Sequence, residues 1–196
     1  MSEITRRGLV QIAIATATAA TASAQHVHQM AADNKAANNG VYKHTALNDH
    51  EYATMQKLAD LIVPADEVSP AASESGACEF IDLLCSNNPE LLAIYTGGLA
   101  WLDFQMEQRY GTNFLTAKPE QQTAMLDLIA YRKNADTAPE LGAGIRFFDW
   151  ARTMVVDAFY TSKVGIKDVG FMGNKGMAKF EIPQEAIDYA LKRSPV

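Results

Sequence analysis

Beyond residue 47, apolar residues recur at steps of three and four, the spacing of one buried helix face. Asn48 and Glu51 are spaced as a capping box; Tyr52, Met55, Leu58, Ala59 and Ile62 follow at helical intervals, and Pro64 ends the run. The stretch Ala65 to Ser75, rich in Pro, Ser, Ala and acids, reads as a loop. Ala77, Phe80, Ile81 and Leu84 then predict a shorter second helix. Pro89 stands where a first helical position belongs, and Leu91, Leu92, Tyr95, Leu99, Leu102 and Met106 carry a long third helix to Gly111. Gly97 and Gly98 lie inside it at a propensity cost of about 1 kcal/mol each against Ala, so they point to close helix approach or a kink.

Pro119 opens a fourth segment with Met125, Leu126, Leu128 and Ile129 on its apolar side, ending around Arg132 to Ala138. The fifth has the clearest pattern: Ile145, Phe148, Ala151, Arg152, Val155 and Phe159 at steps of three and four, broadened by Trp150, Met154 and Tyr160. From Gly165 the chain loses periodicity and gains glycine, and Pro183 to Leu191 predicts one more short helix. No run alternates apolar and polar residues as a half-buried strand does. The fold expected is all-α: an irregular bundle of five to six helices forming a single domain over 47–196.

The first 24 residues read as an address. Arg6 and Arg7 sit between Thr5 and Gly8-Leu9-Val10, an apolar stretch runs from Ile12, and the small residues Ala22 to Ala24 mark a cleavage site after Ala24. The apolar part has 13 residues where a bilayer span needs about 20, which makes an anchor the weaker reading. The paired arginines resemble the twin-arginine export signal of bacteria, which carries folded proteins. Leu9 and Gln11 depart from the commonest residues of that signal. Residues 25–46 hold Ala, Asn, Lys, His and Gln without apolar periodicity and read as a flexible tether.

Charge narrows the function classes. With 17 Lys plus Arg against 23 Asp plus Glu, the formal charge is −6, and losing Arg6, Arg7 and Glu3 with the leader takes it to −7. A nucleic-acid binder needs a basic face, which this balance argues against. No G-x-S-x-G elbow is present, all four His precede Glu51, and neither His44 nor His50 has Glu three residues before it. Nucleophilic hydrolysis and a di-iron bundle therefore lack their residues. Cys78 and Cys85 are not a haem-attachment motif. Gly142 and Gly144 form a G-x-G with Phe147 at the third glycine position and no preceding strand, so dinucleotide binding does not follow. Gly170, Gly173 and Gly176 lack phosphate-loop spacing and are expected in turns or on a docking surface.

Seven residues of helix separate Cys78 from Cys85, a rise of about 10.5 Å that forbids a mutual disulfide. They are either buried apolar thiols or include one that bonds a partner chain. His26 and His28 flank Val27 and are expected to be solvated in the tether; His44 and His50 are expected at the surface. Asp60, Glu79, Asp82, Asp103, Asp127, Asp149 and Asp157 fall one or two per helix, as on solvated faces. No catalytic, cofactor-binding or metal-ligating set is expected. The aromatics Phe147, Phe148, Trp150, Phe159 and Tyr160 exceed what one helix buries, so some are expected to face a partner.

Four stretches together carry a resemblance: L-N-D-H-E-Y-A-T-M-Q-K-L-A-D-L-I-V-P-A-D, S-P-A-A-S-E-S-G-A-C-E-F-I-D, G-G-L-A-W-L-D-F-Q-M-E-Q-R-Y-G-T-N-F-L and D-V-G-F-M-G-N. They are similar to the gluconate 2-dehydrogenase subunit 3 family, most specifically at Asp60, Ile62 and Pro64, at Phe80, Ile81 and Asp82, and at Gly170, Phe171, Gly173 and Asn174. The tail after Gly176 falls outside the resemblance. It implies a small subunit without a cofactor of its own, bound to a large FAD-containing dehydrogenase subunit of the glucose-methanol-choline type. Maturation and twin-arginine co-export of that chain are the implied role, and a multihaem cytochrome c subunit commonly completes such complexes. The location implied is the periplasm, at the inner membrane through the complex. The residues expected at the partner interface are Trp150, Phe171, Met172, Gly173, Asn174, Cys78 and Cys85.

Overall fold

The computed structural model describes residues 24–171 and 182–193. Nine helices and no strand occur among them: α1 over 24–37, α2 Asp49–Ile62, α3 Ala77–Asn87, α4 Pro89–Tyr110, α5 Pro119–Ile129, α6 Asn134–Thr137, α7 Gly142–Thr161, α8 Lys163–Asp168 and α9 Gln184–Arg193. The all-α expectation holds. The six expected segments correspond to α2, α3, α4, α5, α7 and α9, and the three beyond them are α1, α6 and α8. Among the described residues no helix is long and apolar enough to cross a membrane.

Local chemistry sets the helix ends. The Asn48 side chain accepts from the Glu51 N–H at 2.9 Å while Glu51 accepts from the Asn48 N–H at 3.0 Å, completing the capping box of α2. Asn88 caps α4 ahead of Pro89, and Gly111 ends it in the left-handed conformation at φ 68°. Ser162 Oγ accepts from the Gly165 N–H, starting α8 where the sequence pattern lapses.

Helices α4 and α7 cross on two glycines. A Cβ on Gly98 would overlap the Phe147 ring, and one on Gly144 would overlap the Trp101 ring. Each helix thus lends a glycine to receive the other's aromatic, which explains the propensity cost inside α4 as close approach. Around this crossing Tyr95, Leu99, Leu102, Met106, Val155 and Phe159 form the core with Met55 and Leu58 of α2 and Ile81 of α3.

Residues 25–46 are not a tether: α1 is helical over 24–37 and lies against the body. Ala31 is buried, and Ala24 and Val27 pack on the core. The His28 ring lies 4.7 Å from that of Phe80, with its Nε2 3.1 Å from Thr161 Oγ1. Lys35 Nζ meets Glu79, itself buried, at 2.5 Å. Ala supplies the helix propensity, while an imidazole and a lysine stem make contacts that a count of apolar residues does not register.

Three carboxylates expected on solvated faces instead fasten loops. Asp82 is fully buried and takes five donors: the Leu47 and Ala46 N–H on Oδ1, and the Thr45 N–H, Thr45 hydroxyl and Tyr42 hydroxyl on Oδ2. Asp60 accepts from the Ser73 N–H at 2.8 Å and its hydroxyl at 2.9 Å, closing the loop between α2 and α3. Asp103 accepts from the Phe114 N–H at 2.9 Å, and its other oxygen lies 2.6 Å from His50 Nε2. Asp127 and Asp157 do face solvent.

Candidate partner-docking face

The stripe of α4 that builds the core leaves a second one outside. Ala93, Gly97, Ala100 and Phe104 follow one another at steps of four and three with Trp101 beside them, and Phe104 is 58% exposed. A helix apolar on two sides has one side left to cover. Across from it α7 presents Ala143, Phe147 and Trp150, two turns of one face, and Trp150 is 49% exposed. Between them runs a groove of about 320 Å³ lined by Ile94, Gly97, Trp101, Ala143, Phe147 and Trp150. Nothing lies within 4 Å of where a Gly97 Cβ would stand, so this glycine keeps the groove open.

Arg146 lines the groove. Beside Trp150, Asp149 accepts from Arg132 at 2.7 Å and from Arg152 at 3.0 Å. The Arg132 hydrogen bond, with the charges of both arginines, holds the Asp149 carboxyl below its ordinary range. The Arg152 guanidinium lies 5.9 Å from the Phe148 ring centroid. Among the described residues Arg146 is thus the one charged side chain lining the groove, and Arg132 and Arg152 are paired with Asp149. Tryptophan and arginine around an apolar centre are the residue types that dominate binding energy at protein interfaces.

The expected interface residues separate. Trp150 lies on the groove and Phe171, 59% exposed, follows α8 without lining it. Met172, Gly173 and Asn174 lie outside the described residues, as do Arg6 and Arg7; Ala24 is the first described residue and is helical. Cys78 and Cys85 are corrected: both are free and buried in the core of α3, where no partner reaches them. Burial pushes the Cys78 thiol well up, and burial with Asp82 nearby pushes Cys85 up to about 12. Gly97, Trp101 and Phe104 are the additional members of the face, and their signal in the sequence is the second stripe on α4.

Three of the four histidines make structural contacts, and His26 is exposed as expected. His44 Nδ1 bonds the Leu47 carbonyl at 2.7 Å and its ring stacks on Tyr52 at 5.0 Å. His28 is half-buried rather than solvated, and desolvation lowers its pKa from 6.5. Among the described residues no group of three or more His, Cys, Asp or Glu is placed to hold a metal ion. A second cleft, of about 610 Å³, separates α1 from the start of α8 and is lined by His28, Gln29, Lys35, Ser75, Thr161 and Lys163.

Comparison with curated proteins and with solved structures yields no match. A family model does match residues 49–178, about two thirds of the chain, from the start of α2 past the end of α8. That span takes in the Asp60, Asp82 and Asp103 anchors and both walls of the groove, and on it the chain belongs to the gluconate 2-dehydrogenase subunit 3 family, small subunits of dehydrogenase complexes.

Proposed function

We propose that this chain is the non-catalytic accessory subunit of a periplasmic, FAD-dependent sugar or polyol dehydrogenase of the glucose-methanol-choline type. It matures, co-exports and stabilises the catalytic subunit, whose FAD carries the chemistry, and the paired Arg6 and Arg7 supply the twin-arginine address for both chains. A multihaem cytochrome c subunit is the proposed third member, taking the electrons onward. The observation that carries the docking part is the Trp101–Trp150 groove. An open apolar channel with Arg146 in its wall is disfavoured in water and suited to an apolar segment that carries a carboxylate.

The test is co-expression with the FAD-binding dehydrogenase chain proposed as its partner, followed by affinity pull-down of wild type, Trp150→Ala and Gly97→Leu. Wild type should co-purify with a flavin-loaded, exported partner, and both substitutions should weaken capture at least tenfold with the accessory fold intact. Full FAD loading and export of the large chain in the absence of this one would refute the maturation role. Unchanged capture by both variants would move the interface elsewhere.

The α1–α8 cleft favours a second reading, a stand-alone binder of a small polar molecule. A thermal-shift screen of the isolated chain against sugars and organic acids checks it, and a flat screen would remove it.

A further inference from the structure

We infer that docking of α1 controls leader removal: the Ala24–Gln25 bond is held in a helix fastened to the folded body and becomes cleavable only when α1 lifts away. Peptidases take their substrates as extended strands, so a bond in helical conformation must first open, and cleavage then follows the population of the opened form. Residues 24 and 25 are both helical.

The fastening runs the length of α1. Ala24 and Val27 pack on the core at its start. His28 follows, with its ring on Phe80 and its Nε2 against Thr161. Asn34 exchanges two hydrogen bonds with the Lys43 backbone, at 3.0 and 2.9 Å. Lys35 closes the series on Glu79, whose side chain is only 5% exposed. Lifting α1 would strip a buried carboxylate of its cation, a costly state. Exposing the scissile bond requires releasing the Ala24, Val27 and His28 contacts, and the Asn34 and Lys35 contacts hold the rest of α1 in place while it opens.

This goes beyond the docking proposal and does not depend on it. It rests on the reading of residues 1–24 as a leader, and the thermolysin arm of the experiment reports the docking of α1 independently of that reading. A chain exported folded reaches the leader peptidase with α1 already docked and keeps residues 1–24, whereas a chain threaded through unfolded would lose them.

The experiment treats purified full-length protein with leader peptidase in detergent micelles, followed by intact mass, alongside Lys35→Glu, His28→Ala and Met30→Pro. Lys35→Glu sets a like charge against Glu79, and the proline breaks the first turns of α1. Thermolysin attack on the His26–Val27 bond gives an independent readout, and the melting temperature of the body confirms that each variant stays folded. The expected result is a protected wild type, with the three variants cut at least tenfold faster by either protease. Wild type cut as fast as Met30→Pro by both proteases overturns the inference, as does thermolysin resistance that is the same in all four proteins. Protection in vitro together with complete loss of the leader in cells supports the docking inference and refutes folded export.

Discussion

The Leu47 N–H donates to Asp82 Oδ1 at 2.9 Å across thirty-five residues of chain, and that bond joins the segment leading into α2 to the middle of α3. Four further donors from Tyr42, Thr45 and Ala46 complete a nest around one buried carboxylate. Burial, with Asp82 beside it, raises the Tyr42 phenol, which stays a donor at any working pH. Replacing Asp82 by Ala leaves these donors without an acceptor inside the protein. The expected cost is about 3 kcal/mol, or a melting temperature lower by roughly 6–12 °C, read by circular dichroism.

At Gly98 two effects oppose each other. Alanine gains about 1 kcal/mol in helix propensity, but its methyl would overlap Phe147, a buried ring with little room to move. Overlap wins, and Gly98→Ala should destabilise by about 1–3 kcal/mol. Phe147→Leu alone also destabilises. In the double variant the penalties should fall short of their sum by about 1 kcal/mol, measured by urea unfolding.

Thiol reactivity reports the burial of both cysteines in α3. Both are buried with raised pKa values, so native protein at pH 8 should leave Cys78 and Cys85 unlabelled by a maleimide over an hour. In 6 M urea both should react, as intact mass would show. A single rapid label on native protein would place one thiol at the surface.

Acid should loosen the attachment of α1. Burial lowers the His28 pKa below the 6.5 of the free side chain, so the unfolded chain takes up the proton first as pH falls through 6.5. Stability contributed by the neutral imidazole is present above that value and is lost progressively toward the lower, folded-state pKa. His28→Phe keeps a ring against Phe80 and removes the titration. Its urea midpoint relative to wild type should therefore improve between pH 7.5 and 5.5, and a constant difference would show that His28 does not titrate in this way.

Arg146 should act on encounter more than on residence. Arg146→Glu reverses one charge beside the groove. It should slow association with the catalytic subunit several-fold at low salt and lose that effect near 0.5 M salt, in surface plasmon resonance. Trp150→Ala should act chiefly on dissociation, in the same instrument and at either salt.

Much of the fold could be read from the pattern of residues, because the signals involved are local. The capping box at Asn48, Pro89 at a helix start and the core stripes of α2 to α5 and α7 depend on residues within a few turns of one another. The face around Trp150 was legible in part, as an excess of aromatics on one helix, and the family resemblance lay in short motifs of the same kind.

Tertiary structure decided what depends on the partner a residue meets across the chain. Asp60, Asp82 and Asp103 carry the spacing of surface acids, and only the approach of Ser73, Leu47 and Phe114 makes them anchors. Residues 24–37 have the composition of a tether, yet α1 is bound through an imidazole and an ion pair whose acceptors lie far along the sequence. A carboxylate's free energy is set by the donors around it rather than by its neighbours in the chain. The hydrophobic periodicity therefore determined the helices, and long-range contacts alone determined which polar residues hold them together.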